Sequence, residues 1–417
     1  MMWFIFVCVF YAGYSGVTAF KFYVYDWPEV DVRASWPRAF SSPKRMSFHV
    51  SHSLNHGLGE VVDAARGLFR THQYSVWEIF WRRLLESPQR TSDPEEASLF
   101  FLPYDVGMDA TTKLSDGRLQ QTNCPKMDAV LAMLAASPYF RRPGGAEQHF
   151  LLTSINQPMS YYLTPQCTRL YDMCFNCTKL SIDVYPVKMF RELKREPSRA
   201  HKWHSIPFPS NFHHGKDVTR LPWLADREEA GRSMDMRPYS ISFMGTTMVT
   251  ATRCKLLREA IFAECDGRPD AECFASRLQT HDSVANLRPV HAMSRLCLMP
   301  GGDFPTRKAV LDALFSGCVP VLFQRTSAAT QWAWHWGSLE AVADATVFVS
   351  MEHFTKHPKA SVDDLLAIAR DAPRLEAMRA AFAKIAFRMQ YSQLGAGNRH
   401  VDAVDVVLEY FAHKHDT

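Results

Sequence analysis

The stretch that decides the fold is Ser294 to Phe323, SRLCLMPGGDFPTRKAVLDALFSGCVPVLF. Arg295 to Met299 is mostly apolar and predicts a strand, closed by Pro300-Gly301-Gly302, where glycine lets the backbone turn sharply and approach its neighbours. Pro305 and Thr306 are expected to open a helix, because Ala309, Val310, Ala313 and Leu314 recur at helical spacing and Gly317 stands where a C-cap glycine belongs. Cys318 to Phe323 then predicts a short buried strand.

Charge placement gives this stretch a chemical task. Arg307 and Lys308 fall in the first turn of the expected helix, the positive end of its dipole, where cations are unfavourable unless an anion joins them. Free backbone N–H groups at such an end bind anions, and a guanidinium suits a diphosphate. The expected site is Gly301, Gly302, Asp303, Thr306, Arg307 and Lys308, with Asp312 available for a ribose or sugar hydroxyl. The competing reading is local: Asp303 caps the helix and pairs with Arg307, while Lys308 meets Asp312 one turn on.

These residues resemble the nucleotide-binding signature of the exostosin-like glycosyltransferases, GT47-type enzymes. The shared positions are Cys297-Leu298, Pro300, Gly302-Asp303, Pro305, Arg307, Asp312-Ala313 and Gly317-Cys318-Val319-Pro320-Val321. Thr306 stands where the family usually carries serine and keeps a hydroxyl. Phe20–Trp27 (FKFYVYDW), Thr91–Asp105 (TSDPEEASLFFLPYD), Ile206–Pro209 and Arg237–Gly245 extend the resemblance, which runs with gaps from Phe22 to Tyr391. Near His149 the family's aspartate is replaced by Glu147 or Gln148.

The resemblance implies an α/β, GT-B-like fold of two Rossmann-like doubly wound domains facing a cleft. It implies an inverting transfer of a sugar from a nucleotide-diphosphate donor, UDP-linked, to a glycan, polysaccharide or glycoprotein acceptor. A catalytically inactive relative that binds glycan or stabilises a partner is the alternative. No D-x-D triplet stands near a predicted strand end, so no metal and no cofactor beyond the donor is expected. The resemblance also implies a Golgi or endoplasmic reticulum setting and a hetero-oligomer with related transferases.

The expected layout is a signal peptide or short signal anchor at 1–19, an acceptor-side domain at 20–225, a linker at 226–236, a nucleotide-sugar domain at 237–390 and a helical tail at 391–417. A chain of 417 residues suits two cores. Residues 2–11 are strongly apolar but short for a membrane span, so membrane association, if retained, runs through residues 2–19. The net charge of +4 is spread without a basic, aromatic-interleaved stripe, which argues against nucleic acid as a partner. Ten cysteines, with Cys167, Cys174 and Cys177 in one group and Cys254, Cys265 and Cys273 in another, predict disulfides in an oxidising compartment. Asn176-Cys177-Thr178 is a glycosylation sequon.

An inverting transfer needs a base for the acceptor hydroxyl. The strand-end candidates are His149 and Asp105, with Asp26 and Glu147 behind them, and each could equally cap a turn. Helical spacing predicts a helix across Gly59 to Glu86, a compact one at Met127 to Ala136 and another from Asp363 to Arg388. Trp332, Trp334 and Trp336 offer either a stacking wall for sugar or base, or a buried plug.

Overall fold

The computed structural model describes residues 20–28, 54–113, 119–121, 123–157, 163–185, 197–215, 233–249, 251–278, 283–328, 330–395 and 400–415. The leader at 1–19 and residues 226–232 of the expected linker lie outside them.

The first half opens with β1 (Phe22–Val24) and an antiparallel hairpin, β2 (Glu60–Asp63) and β3 (Leu68–Arg70). There follow helix α1 (Val76–Glu86), β4 (Arg90–Thr91), β5 (Leu99–Phe101), a second hairpin of β6 (Thr111–Lys113) and β7 (Leu119–Gln121), and helix α2 (Met127–Ala136). Strand β8 (His149–Leu152), helix α3 (Pro165–Met173), β9 (Thr178–Ser181) and β10 (Trp203–Ser205) complete it. Six of these strands form one parallel sheet in the order β10-β9-β8-β5-β1-β4. All of Leu99–Phe101 and His149–Leu152 are buried, as both-face coverage of a parallel sheet requires.

The second half builds a five-stranded parallel sheet in the order β12-β11-β13-β14-β15, from β11 (Tyr239–Gly245), β12 (Cys273–Arg277), β13 (Ser294–Met299), β14 (Val319–Leu322) and β15 (Val347–Phe348). Helices α4 (Thr252–Asp266), α5 (Ser283–Ala292), α6 (Lys308–Phe315), α7 (Pro358–Arg370) and α8 (Ala372–Ile385) belong to it. The last helix, α9 (Ala403–His415), returns to the first sheet, where Phe411 meets Phe150 at 4.9 Å between ring centres. Asp402 fixes that return by capping α9 through the Val404 N–H at 3.0 Å and by pairing with the buried Arg83 of α1 at 3.2 Å.

Several expectations hold as read. Helix α2 has the expected bounds. Gly317 takes a positive φ of 69° directly after α6, with its N–H on the Leu314 carbonyl, the role expected of a glycine there.

The helix expected from Gly59 is a correction. Only Val76–Glu86 is helical, and the preceding apolar run forms hairpin β2–β3. Gly59 sits at φ +90°, and a Cβ built there would lie 2.1 Å from the Arg70 carbonyl oxygen. Asp63 closes the turn by accepting from the Arg66 N–H at 3.1 Å and guanidinium at 2.8 Å. Gly59→Ala is therefore expected to cost about 2 kcal/mol, read as a lowered denaturant midpoint; an unchanged midpoint would contradict this account of the hairpin. The run from Asp363 is likewise two helices, broken where Asp371 caps α8 by accepting the Arg374 N–H at 3.1 Å.

Three disulfides join Cys124 to Cys167, Cys265 to Cys273 and Cys297 to Cys318. Cys297–Cys318 ties β13 to the residue before β14 and so brackets the signature. Cys174, Cys177 and Cys254 remain buried thiols. Cys167 thus pairs outside its expected group, because α3 lies beside the segment that leads into α2.

The tryptophan cluster is a plug between the halves. Trp332 is fully buried, its backbone N–H donates to Ser205 Oγ at 2.6 Å and its indole donates to the Ile182 carbonyl at 3.3 Å. Trp334 stacks on Tyr410 at 3.8 Å, and Trp336 is buried. The chain crosses back to the first half near Tyr391, whose hydroxyl donates to the Pro207 carbonyl at 2.7 Å.

Candidate functional site at the seam between the two sheets

The carboxyl ends of parallel strands are where α/β folds hold ligands, because the turns into the following helices gather there with free N–H groups. In the second half that edge carries Pro300-Gly301-Gly302 after β13 and Thr246 after β11. Gly301 must be small: a Cβ there would lie 3.2 Å from both Gln324 Nε2 and the Phe304 carbonyl oxygen.

Helix α6 starts at Lys308, not at Pro305 and Thr306 as expected, so Arg307 lies outside its first turn. Arg307 is extended, at φ −166° and ψ 157°, and occupies the N-cap position without a side-chain cap bond. Its guanidinium reaches back to the carbonyls of Pro300 and Met244, both at 3.4 Å. Beside it lies a second guanidinium that local spacing did not reveal. Arg258 of α4 is buried, donating to the Gly301 carbonyl through Nε at 3.1 Å and Nη2 at 2.9 Å, and to the Thr246 carbonyl. Among the described residues neither arginine forms a salt bridge.

The electrostatic consequence is a deficit of negative charge. Burial, then the neighbouring Arg258 cation, pushes Arg307 down to about 9, which still leaves it charged at neutral pH. Burial also lowers Arg258, with Cys254 and Asp303 acting the other way. Two adjacent guanidinium groups held only by carbonyl oxygens define a place for an anion.

Lys308 and Asp312 do not share in it. The Lys308 ammonium lies 2.8 Å and 3.1 Å from the two carboxylate oxygens of Asp312, both side chains are buried, and Asp312 Oδ1 also accepts the Asn211 N–H at 2.9 Å. The local pairing prevails for this cation: Lys308 and Asp312 are engaged with each other and not with the arginine turn. Asp303 is exposed, and its carbonyl accepts from the Tyr185 hydroxyl of the first half at 3.2 Å. Thr306 is buried, and its hydroxyl has no hydrogen-bond partner.

The first half presents its own carboxyl edge to this turn. Asp105, four residues past β5, is fully buried; Oδ1 accepts from Gly107 N–H at 2.9 Å, Ser154 N–H at 3.2 Å and Thr153 Oγ1 at 3.3 Å, while Oδ2 has no partner. Burial raises it to about 6, with those donors pulling the other way. Two strands away, Asp183 follows β9, fully buried, with neither carboxylate oxygen in a hydrogen bond. It faces the backbone N–H of Thr306, the side chain of Asn156 and the N–H of Val184, and burial holds it well above the usual carboxylate range. Sequence reasoning passed over Asp183, although the strand-end rule that selected Asp105 would have found it.

His149 belongs elsewhere. It is the first residue of β8, at the amino end of the strand, fully buried and stacked 5.0 Å from Phe100. Nδ1–H donates to the Gly145 carbonyl at 2.6 Å and Nε2 accepts from the Tyr25 hydroxyl at 2.9 Å. Burial drives it down to about 4, so it is a neutral core imidazole remote from the seam, and Glu147 shares that end. Asp26 is exposed after β1.

Two parallel α/β sheets, meeting at their carboxyl edges around an unpaired cationic turn, define a GT-B-like glycosyltransferase. Residues 17–360 match the exostosin GT47 domain. The chain belongs to the exostosin GT47 family. Among similar proteins from Arabidopsis thaliana are the probable xyloglucan galactosyltransferase GT19, 26% identical over 85% of this chain and 81% of its own length, and the xyloglucan-specific galacturonosyltransferase 1, 27% identical over 75% and 45%. Xyloglucan galactosyltransferase MUR3 is 25% identical over 68% of this chain and 45% of its own. Among solved structures, an α-glucosyltransferase in complex with UDP-glucose and abasic DNA overlaps 83% of this chain and 96% of its own, with a TM-score of 0.38 at 9% identity.

Proposed function

We propose that this chain transfers a hexosyl or hexuronosyl group from a UDP-linked donor to a hydroxyl of a polysaccharide, with inversion at the anomeric carbon. The observation that carries the reading is the Arg258–Arg307 pair, one buried and one half-buried cation beside a glycine turn with carbonyls as their hydrogen-bond acceptors. The diphosphate supplies the missing charge, and the same groups stabilise the leaving group as the glycosyl bond breaks. The relatives named for galactose and galacturonic acid transfer support this class of donor, and their xyloglucan acceptors support a branched β-glucan as the first acceptor to try. Three disulfides and the apolar residues 2–11 support a secretory-pathway setting, the Golgi lumen for polysaccharide work.

The test is a thermal-shift screen of nucleotide sugars followed by transfer to xyloglucan oligosaccharides. UDP-sugars are expected to raise the melting temperature by several degrees at concentrations well above Kd, as ligand linkage requires. No shift with any UDP-sugar contradicts the donor reading. A shift with no transfer to any glycan supports the catalytically inactive, glycan-binding or partner-stabilising alternative.

A further inference from the structure

We propose that Asp183 is the general base of the transfer, receiving the proton of the acceptor hydroxyl. The inference rests on the nucleotide-sugar reading above and adds the residue that the arginine turn lacks. A carboxylate removed from water without a hydrogen bond is costly, and a catalytic role is one of the few explanations for keeping such a group. Asp183 is of this kind: both oxygens are buried and neither has a hydrogen bond of good geometry, the nearest donors being the Thr306 N–H, the Asn156 side chain and the Val184 N–H. The Thr306 hydroxyl opposite, in the same turn as Arg307, is unpartnered too. The orphaned acid comes from the first sheet and the orphaned hydroxyl from the second, so a molecule seated at the seam satisfies both at once.

Position decides between Asp183 and Asp105. Asp105 Oδ1 caps the short helix Val106–Asp109 and accepts three bonds from its own half. Asp183 faces the donor turn itself, through the Thr306 N–H. With the diphosphate on Arg307, the anomeric carbon lies between the turn and Asp183, and the acceptor oxygen approaches from the Asp183 side. The hydroxyl proton passes to the Asp183 carboxylate as the acceptor oxygen bonds to the anomeric carbon. The bond from that carbon to the phosphate oxygen breaks, its electron pair leaving with the diphosphate onto Arg307. Attack opposite the leaving group inverts the centre, and Asp183 returns its proton to solvent after product leaves.

The groups around Asp183 set the sign of the pH dependence. Asn156 from the turn after β8, Val184 beside it and Thr306 across the seam are neutral, and Tyr74, from the segment before α1, is the titratable group that its charge reaches. Burial raises the carboxyl and among the described residues no cation lies close enough to offset it, so transfer is lost as pH falls through a value above the ordinary carboxylate range. For the same reason the empty protein is less stable with Asp183 ionised, and its stability declines as pH rises from that range through the raised value.

The experiment compares Asp183→Asn and Asp183→Glu with the full wild-type chain in UDP thermal shift, steady-state transfer and pH profile. Asp183→Asn is expected to melt no lower than wild type at pH 7, to keep the UDP-induced shift and to lose kcat by about 10²–10⁴-fold. Asp183→Glu is expected to recover part of that loss with a displaced acid limb. Asp183→Asn retaining kcat within about threefold, or changing only KM, overturns the assignment. Should Asp183→Asn fail to fold, an acid limb unchanged in Asp183→Glu overturns it and a displaced one supports it. Absence of a UDP shift in the wild type would instead sink the nucleotide-sugar reading.

Discussion

Replacing Arg307 by alanine is expected to lower kcat by about 10²–10³-fold, the cost of removing one preorganised group that stabilises developing charge. The expectation follows from what the guanidinium does without ligand. Its hydrogen bonds to the Pro300 and Met244 carbonyls are long, 3.4 Å each, and carbonyl dipoles cannot neutralise a full charge beside Arg258. A diphosphate neutralises both, and its charge grows as the sugar departs, so the contact strengthens where it lowers the barrier. The fold is expected to survive, because removing a cation repelled by its neighbour relieves strain in the ligand-free chain. Arg307→Lys is expected to fall between, keeping the charge and losing the bidentate fork. Transfer within twofold of wild type for Arg307→Ala would remove the clamp from the account.

Asp312→Ala is expected to act on stability, by about 3–5 kcal/mol, the usual cost of leaving one member of a buried ion pair uncompensated. The Lys308 ammonium has side-chain exposure of only 9% and Asp312 only 3%, so water cannot substitute for the lost carboxylate. The Asn211 N–H also loses its acceptor. The double change Lys308→Met with Asp312→Asn removes the charge while keeping an oxygen for Asn211, and is expected to restore most of the loss in urea unfolding. A single Asp312→Ala variant as stable as wild type, with UDP binding lost, would instead return Asp312 to the binding site. These two predictions separate the neighbours Arg307 and Lys308, one acting on turnover and the other on folding.

The signature was legible because its periods and its punctuation are local. Strand β13, the glycine turn, α6 and Gly317 are each specified within a few residues by an apolar run, helical spacing and a C-cap. Charge partners were less legible. That Lys308 turns to Asp312 and Arg307 to the strand ends depends on which side of α6 meets Asn211 from the first half, a contact 101 residues away in sequence. Arg258 reaches Gly301 across 43 residues, and nothing in the pattern around it on α4 points to that loop. His149 looked chemical by motif but starts a strand rather than ending one, which puts it at the amino edge of the sheet. The apolar run after Gly59 kept helical spacing while its glycines required positive φ, and backbone geometry overrode periodicity.

The central claim is that two guanidinium groups at the seam hold a pyrophosphate, and calorimetric titration of the full chain with UDP and with uridine tests it most directly. UDP is expected to bind at least about 10²-fold more tightly than uridine, roughly the 2.7 kcal/mol that two desolvated charged contacts supply, and Arg307→Ala is expected to remove most of that difference. Equal affinities for UDP and uridine in the wild type, or an unchanged preference in Arg307→Ala, would contradict it.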